Sequence, residues 1–276
     1  MKPQAAATLL THRALPWGLG AVTVGCLAIA TGYLREVALQ EGGITFPRTI
    51  LLAIGILAIA CALQCGLLFS WRHAAALALS SMALSWLAEA AGLRWGLFFG
   101  STYDYTAAVG PHLPGKVPAV VPLVWFGLSH LVLVLHFRRN REVRFSTWNG
   151  ILRSSLWSGY AFVVVDLLLD PVGSGLGGWK WTRAGAYYGV PLLNSAGWML
   201  VGSLIFAGFA WLTRNVPVHS RVPDPERHAR NALWWGGLLL VPVAGMALSL
   251  GRPGAVLAFL LAGLPLVRRP ALHSKR

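Results

Sequence analysis

Acidic side chains are scarce in this sequence: nine Asp and Glu stand among 276 residues, against 23 Lys and Arg. Charge of either sign is thin, at 12% of residues, while 56% are hydrophobic and the mean hydropathy is +0.61. A soluble chain of this length keeps a charged exterior, so the composition excludes an ordinary soluble domain and fits a polytopic membrane protein. Cysteine is equally sparse. Cys61 and Cys65 share a helix face but have no His or carboxylate nearby, which makes a poor metal site; with Cys26 they read as small apolar packing residues. The sequence also lacks a fixed-period repeat, a low-complexity tract and any stretch polar enough for a separate soluble domain.

What it has instead is apolar runs. Eight of them, at 17–34, 48–70, 74–92, 119–137, 151–170, 186–212, 232–250 and 253–268, approach or exceed the roughly 18 residues of a membrane-spanning helix. The first follows Lys2, His12 and Arg13 and is soon followed by another span, so it reads as a signal anchor. The expected fold is an all-α polytopic membrane bundle of about eight helices, one integral membrane domain over 1–276. With the N-terminus placed in the cytoplasm, inner segments hold 16 of the Lys and Arg and outer segments 7. That is the positive-inside asymmetry. The expectation is a multi-pass protein of the cytoplasmic membrane with both termini cytoplasmic. The basic excess then records insertion topology and attraction to anionic lipid, and nucleic acid is no partner.

Most of the few acids lie in connecting segments, but Glu89, Asp166 and Asp170 fall within or at the ends of spans and Asp104 in the loop 93–118. Ionisable groups in a bilayer are costly and usually face a bundle interior or a wet cavity. On this topology Glu89 lies near the outer end of one span. Asp166 and Asp170 occupy the last two turns of another, four residues apart and so on one helix face. Asn194 enters from the following span, so five polar groups converge on the outer half of the bundle. Plainer readings stand beside this one. Asp170 precedes Pro171 and could end its helix. Asp166 could pair with Arg94, Lys180 or Arg183, and Glu89 with Arg94. His130, in the middle of a span and away from the cluster, reads as a hydrogen-bonded packing residue.

The two outer loops are dense in aromatics, Gly and Pro: "LRWGLFFGSTYDYTAAVGPHLPGKVP" and "PVGSGLGGWKWTRAGAYYGVPLLN". An interfacial aromatic belt explains Trp and Tyr in general; an aromatic-walled pocket at the outer rim explains why the inner loops lack this density. These segments carry an ordered pattern. Glu89 precedes Phe99, Gly100, Tyr103 and Tyr105, then Gly110, Pro111, Val117, Pro118, Pro122, Leu123 and Trp125. A second block runs Asp166, Asp170, Pro171, Trp179, Trp181, Tyr188, Gly189, Pro191, Asn194, Gly197 and Trp198. Over about 85–200 this resembles the carotenoid biosynthesis membrane protein family, the bisanhydrobacterioruberin hydratase and carotenoid 1,2-hydratase-like proteins. Two positions depart from the pattern: Ser195 stands where an aromatic is expected, and Lys116 interrupts the stretch before Val117.

The resemblance implies an enzyme that adds water across the terminal 1,2 double bond of an acyclic carotenoid in the bilayer, giving a tertiary alcohol. It implies no cofactor and no metal, and an association with other enzymes of carotenoid biosynthesis. Such hydration needs an acid held protonated against a π-bond, a base that orients water, and a wall that tolerates a cation. Asp166, the deeper of the pair, is the expected proton donor with Asp170 as its partner, and Glu89 orients the water with Asn194. Tyr103, Asp104, Tyr105, Trp181 and Tyr188 complete the substrate-binding set, the rings facing the cation. Two other classes remain. Asp-x-x-x-Asp could hold Mg²⁺ against the diphosphate of a prenyl donor, and buried acids could serve a non-enzymatic transporter or assembly factor.

The topology is directly testable. Reporter fusions at Arg141 and Ser174 should read cytoplasmic and external respectively; cytoplasmic exposure at Ser174 would remove the outer-rim pocket with it.

Overall fold

The computed structural model describes residues 48–106, 109–140, 147–216, 222 and 224–267. Seven helices follow in chain order within them: α1 Arg48–Leu68, α2 Trp71–Trp95, α3 Val120–Asn140, α4 Trp148–Gly175, α5 Leu192–Thr213, α6 Pro225–Ser249 and α7 Pro253–Val267. The first six are long and apolar enough to cross a membrane. The seventh has 15 residues, which at 1.5 Å per residue rise only about 22 Å, less than the ~30 Å hydrocarbon core. The expected span at 17–34 lies outside the described residues. The protein is an all-α polytopic membrane bundle, with large apolar side chains such as Leu52, Ile59, Leu79, Leu152 and Leu261 exposed on its outside, where lipid would cover them.

Local chemistry sets the helix ends. The Ser70 hydroxyl accepts from the His73 backbone N–H to start α2, Thr147 does the same for Gly150 in α4, and the Asp224 carboxylate caps α6 through Arg227. At the other end of α2, Gly96 adopts φ 67° and returns its N–H to the Gly92 carbonyl, a left-handed cap that glycine reaches without steric cost.

Two of the boundaries that differ from the sequence expectation adjoin the site. The run at 186–212 becomes helical only at Leu192, because Gly185 bridges Gly189 and Tyr187 bridges Val190 ahead of Pro191. The run at 151–170 does not stop at Asp170: α4 continues through Pro171 to Gly175.

The loops at the site-bearing end are not irregular. Strand β1, Tyr103–Tyr105, pairs antiparallel with β4, Trp179–Trp181, in the register Tyr103↔Trp181, Asp104↔Lys180, Tyr105↔Trp179. A smaller ladder joins β2, His112–Leu113, to β3, Val117–Pro118. Thr182 N–H donates to the Thr102 carbonyl at 2.9 Å and Thr106 N–H to that of Gly178 at 3.0 Å, so the two long loops form one cover over the end of the bundle.

Beneath that cover the core is aromatic. Trp125 of α3 stacks on Trp198 of α5 at 4.4 Å and on Phe162 of α4 at 5.2 Å. Close approach of α4 and α5 depends on small residues, as helix pairs in lipid generally do. A Cβ placed on Gly159 of α4 would overlap the Met199 carbonyl oxygen and the Ser203 hydroxyl of α5. Gly159→Leu should therefore destabilise the detergent-solubilised protein by about 1–3 kcal/mol or more. Gly237→Leu, at a glycine with nothing within 4 Å, should leave thermal unfolding near the parent's. Equal midpoints for the two variants would remove this helix contact from the account.

Candidate functional site

Glu89 lies two turns from the end of α2 and is 5% exposed. Three donors converge on its carboxyl group: the Tyr103 hydroxyl at 2.5 Å and the Tyr105 hydroxyl at 2.9 Å on Oε2, and the Trp125 indole N–H at 3.2 Å on Oε1. Strand geometry explains the first two. Alternate residues of β1 face the same side, so Tyr103 and Tyr105 both turn inward while Asp104 between them is exposed. Asp104, expected among the substrate-binding residues, stands on the outer face of the cover opposite Lys180. The cross-strand partners follow the same alternation: Trp181 packs on Tyr103 at 4.7 Å and Trp179 on Tyr105 at 5.9 Å between ring centres.

The second acidic group is built across α4 and α5. Asn194 is the third residue of α5 and 1% exposed. Its single amide nitrogen donates to Asp166 Oδ1 at 2.8 Å and to Asp170 Oδ2 at 2.5 Å. The Ser195 hydroxyl adds a bond to Asp166 Oδ2 at 2.7 Å. Both aspartates are buried and share the face that their spacing dictates. Neither turns to the basic residues considered as partners; Arg94 instead lies over the Trp95 ring at 5.7 Å.

Pro171 lies inside α4 and cannot donate a backbone N–H, which leaves the Leu167 carbonyl without its usual partner four residues on. The Tyr187 hydroxyl takes that place at 2.8 Å. The carbonyl of Pro171 itself accepts from the Arg252 guanidinium in the turn between α6 and α7, and the Ser174 hydroxyl returns to the Asp170 carbonyl at 2.7 Å. Tyr188, expected at the substrate, packs instead against Tyr187 at 5.1 Å with Arg252 over its ring at 5.8 Å.

A cavity of about 440 Å³ opens between these groups, within the roughly 300–1,000 Å³ usual for small-molecule sites. Glu89, Tyr103, Tyr105, Asp170, Trp181 and Asn194 line it, joined by Trp125, Trp179 and Trp198; Asp166 stands behind Asp170 and outside the lining. The rest of the wall is mainly aliphatic, from α1, α3 and α6. Along α1 it runs from Ala53 to Gln64, about 16 Å of helix. Sequence reasoning missed Trp125 and Trp198 as site residues, although both fall in the quoted pattern. It missed Ser195 as well, noted only as a departure. His130 bonds to Gln64, as its packing reading required, but it also lines the cavity.

A family model described as "Carotenoid biosynthesis protein" matches residues 46–265. Among curated proteins, the chain is 32% identical over 173 residues to bisanhydrobacterioruberin hydratase of Haloarcula japonica. The alignment covers 60% of this chain and 56% of that protein, so the match spans just over half the relative's length. No solved structure matches the chain.

The loop tyrosines carry a pH signature. Burial first, and then the Glu89 carboxylate, push the Tyr103 and Tyr105 hydroxyls well above the ordinary value of 10. Burial pushes Tyr187 up to about 12. In the unfolded chain these groups ionise near the ordinary value, so their contribution to stability is complete below it and is lost as pH rises beyond it. Ultraviolet titration should therefore give no phenolate signal from Tyr103 or Tyr105 near the ordinary value of 10 while the fold persists. The difference spectrum between the parent and a Tyr103→Phe/Tyr105→Phe variant should be blank there. A phenolate band in that spectrum near pH 10 would contradict the buried hydrogen-bonded arrangement.

Proposed function

Because the chain belongs to the carotenoid biosynthesis protein family, we propose that it is a hydratase that adds water to the terminal 1,2 double bond of an acyclic carotenoid end group. The observation that carries this reading is the cavity itself: two separate carboxyl groups, Glu89 and Asp170, face one mainly apolar, ring-lined space. Addition of water to an alkene needs an acid on one side and a base on the other, and an apolar wall suits the hydrocarbon. The name of the Haloarcula japonica relative, a bisanhydrobacterioruberin hydratase, agrees with it.

Counting donors divides the labour. Glu89 alone receives three hydrogen bonds, a set that suits an ionised carboxylate. Asp166 and Asp170 together receive three, two from Asn194 and one from Ser195; that supply suits one negative charge and one shared proton. The proton goes from Asp170, on the cavity wall, to the less substituted alkene carbon, and a tertiary cation forms at the other. Asp166, first expected as the donor, lies behind the wall and becomes the partner that retains the charge. Water attacks the cation and gives up a proton to Glu89 as the carbon–oxygen bond forms. The product is the tertiary alcohol, and the proton on Glu89 returns to the aspartate pair before the next turnover. Faces of Tyr103, Tyr105 and Trp181 stabilise the cation, each by about 2 kcal/mol or more when desolvated.

The amide of Asn194 also bears on the prenyl-transfer alternative. It occupies the position between the two aspartate carboxyls, where a bridging cation would have to sit. A carotenoid lies along the hydrocarbon core with one end in the cavity, and water enters beneath the loop cover.

Pigment chromatography tests the proposal in cells that make an acyclic carotenoid. Asp170→Asn, at normal protein level, should lower the 1-hydroxy product by about 100-fold or more, the usual range for loss of a general acid. Asp166→Asn should leave more product than Asp170→Asn. Parental product from Asp170→Asn would reject it as the acid, and the absence of product from the parent on any acyclic carotenoid would reject hydration.

A further inference from the structure

Away from Glu89 and Asp170 the cavity wall carries two further polar side chains, Gln64 of α1 and His130 of α3. They are 3% and 0% exposed, deep in helices that lipid surrounds, where polar groups are expensive unless paired. His130 follows Trp125 by five residues on α3, about 7.5 Å along the helix axis. Its neighbours on that wall, Val124, Leu128 and Leu131, are apolar.

The pair has a definite polarity. His130 Nε2 lies 2.7 Å from Gln64 Oε1. A carboxamide oxygen only accepts, so Nε2 carries the proton and donates it. In a ring with one proton, Nδ1 is then a bare acceptor. Nδ1 is buried and has no hydrogen-bond partner among the described residues. A saturated or polyene chain offers nothing to it, and neither does a ketone or ether oxygen, which only accepts. A hydroxyl group does.

We propose that Gln64 and His130 form a second subsite of the cavity, which accepts a hydrogen bond from a hydroxyl group of an isoprenoid ligand at a point about 7.5 Å along α3 from Trp125, the residue that bonds Glu89. The inference rests on the cavity being the substrate's site, but not on hydration. It makes the cavity selective for alcohols over hydrocarbons and over oxygen functions that cannot donate.

Three probes separate these classes: geraniol, its methyl ether, and the hydrocarbon in which the geraniol CH₂OH is a methyl group. Geraniol carries a terminal trisubstituted alkene and a hydroxyl at about the required separation when extended. Binding to the full-length protein in detergent is read by tryptophan fluorescence, since Trp125 and Trp198 line the cavity, with each affinity corrected for partition into protein-free micelles. The parent should bind geraniol about fivefold to tenfold more tightly than the ether, the range of one neutral hydrogen bond. His130→Leu should erase that difference between alcohol and ether. Gln64→Leu, which frees the ring proton to sit on either nitrogen, should narrow it. The proposal is overturned if the parent binds ether and alcohol equally, or if His130→Leu keeps the preference for geraniol. Should a variant fail to fold, the parent's alcohol-to-ether comparison decides alone. No turnover is read, so this result and the pigment assay can fail independently.

Discussion

A carboxylate inside a bilayer has no water to turn to, and the protein must supply every donor it needs. That requirement organises the upper part of this bundle. Glu89 draws two tyrosines and a tryptophan from two different segments, β1 and α3. The aspartates draw Asn194 and Ser195 across from α5. Each donor is fixed by something further out: the tyrosines by pairing of β1 with β4, Trp125 by its stack on Trp198 and Phe162, and Asn194 by the close contact of α4 with α5. The loops that cover the site are ordered because they carry the side chains that make the buried charges tolerable.

The two acidic groups are satisfied differently, and the difference has chemical content. Tyrosine and indole donors surround Glu89 without offering it a proton it could keep, since a phenol is a far weaker acid than a carboxyl group. The aspartate pair has fewer donors per oxygen and an amide that donates to both members, which suits a proton held between them. In the reaction proposed above, two carboxyl sites with different donor sets on one cavity would be the pattern by which acid and base roles separate. The aromatic rings would serve the same proposed reaction, because a ring face stabilises positive charge without supplying a nucleophile that would compete with water.

Hydropathy made the spans legible, because lipid imposes length and composition on any helix that crosses it. It also pointed to the region where the cavity opens, through acids placed where acids are costly. What it could not resolve were features set by contacts between segments. Strands of two or three residues are too short for a periodic signal, so the inward turn of Tyr103 and Tyr105 and the outward turn of Asp104 became visible only with the register against β4. The meeting of Trp125 with Glu89 joins residues far apart in sequence. Ser195 looked like a defect in a pattern and is a donor to Asp166. Within the aspartate pair, depth along α4 pointed to Asp166, whereas the member that lines the cavity is Asp170.

The proline after Asp170 shows how such contacts override a local rule. Proline normally ends a helix because it removes one donor and leaves one carbonyl unpaired. Here the carbonyl of Leu167 is met by Tyr187 from the loop cover, and that of Pro171 by Arg252 from the turn between α6 and α7. The helix can therefore continue for another turn, which keeps Asp170 inside regular α4 and in register with Asp166 on the face turned toward Asn194. The same two ties attach that turn to elements outside the α4–α5 pair. The position of the Asp170 carboxyl is then set jointly by the loop cover, by the α6–α7 turn and by the amide of Asn194. A single helix ending at Asp170 would have left the carboxyl at a fraying terminus, facing the interface. Carried through the proline and tied on both sides, it faces the cavity.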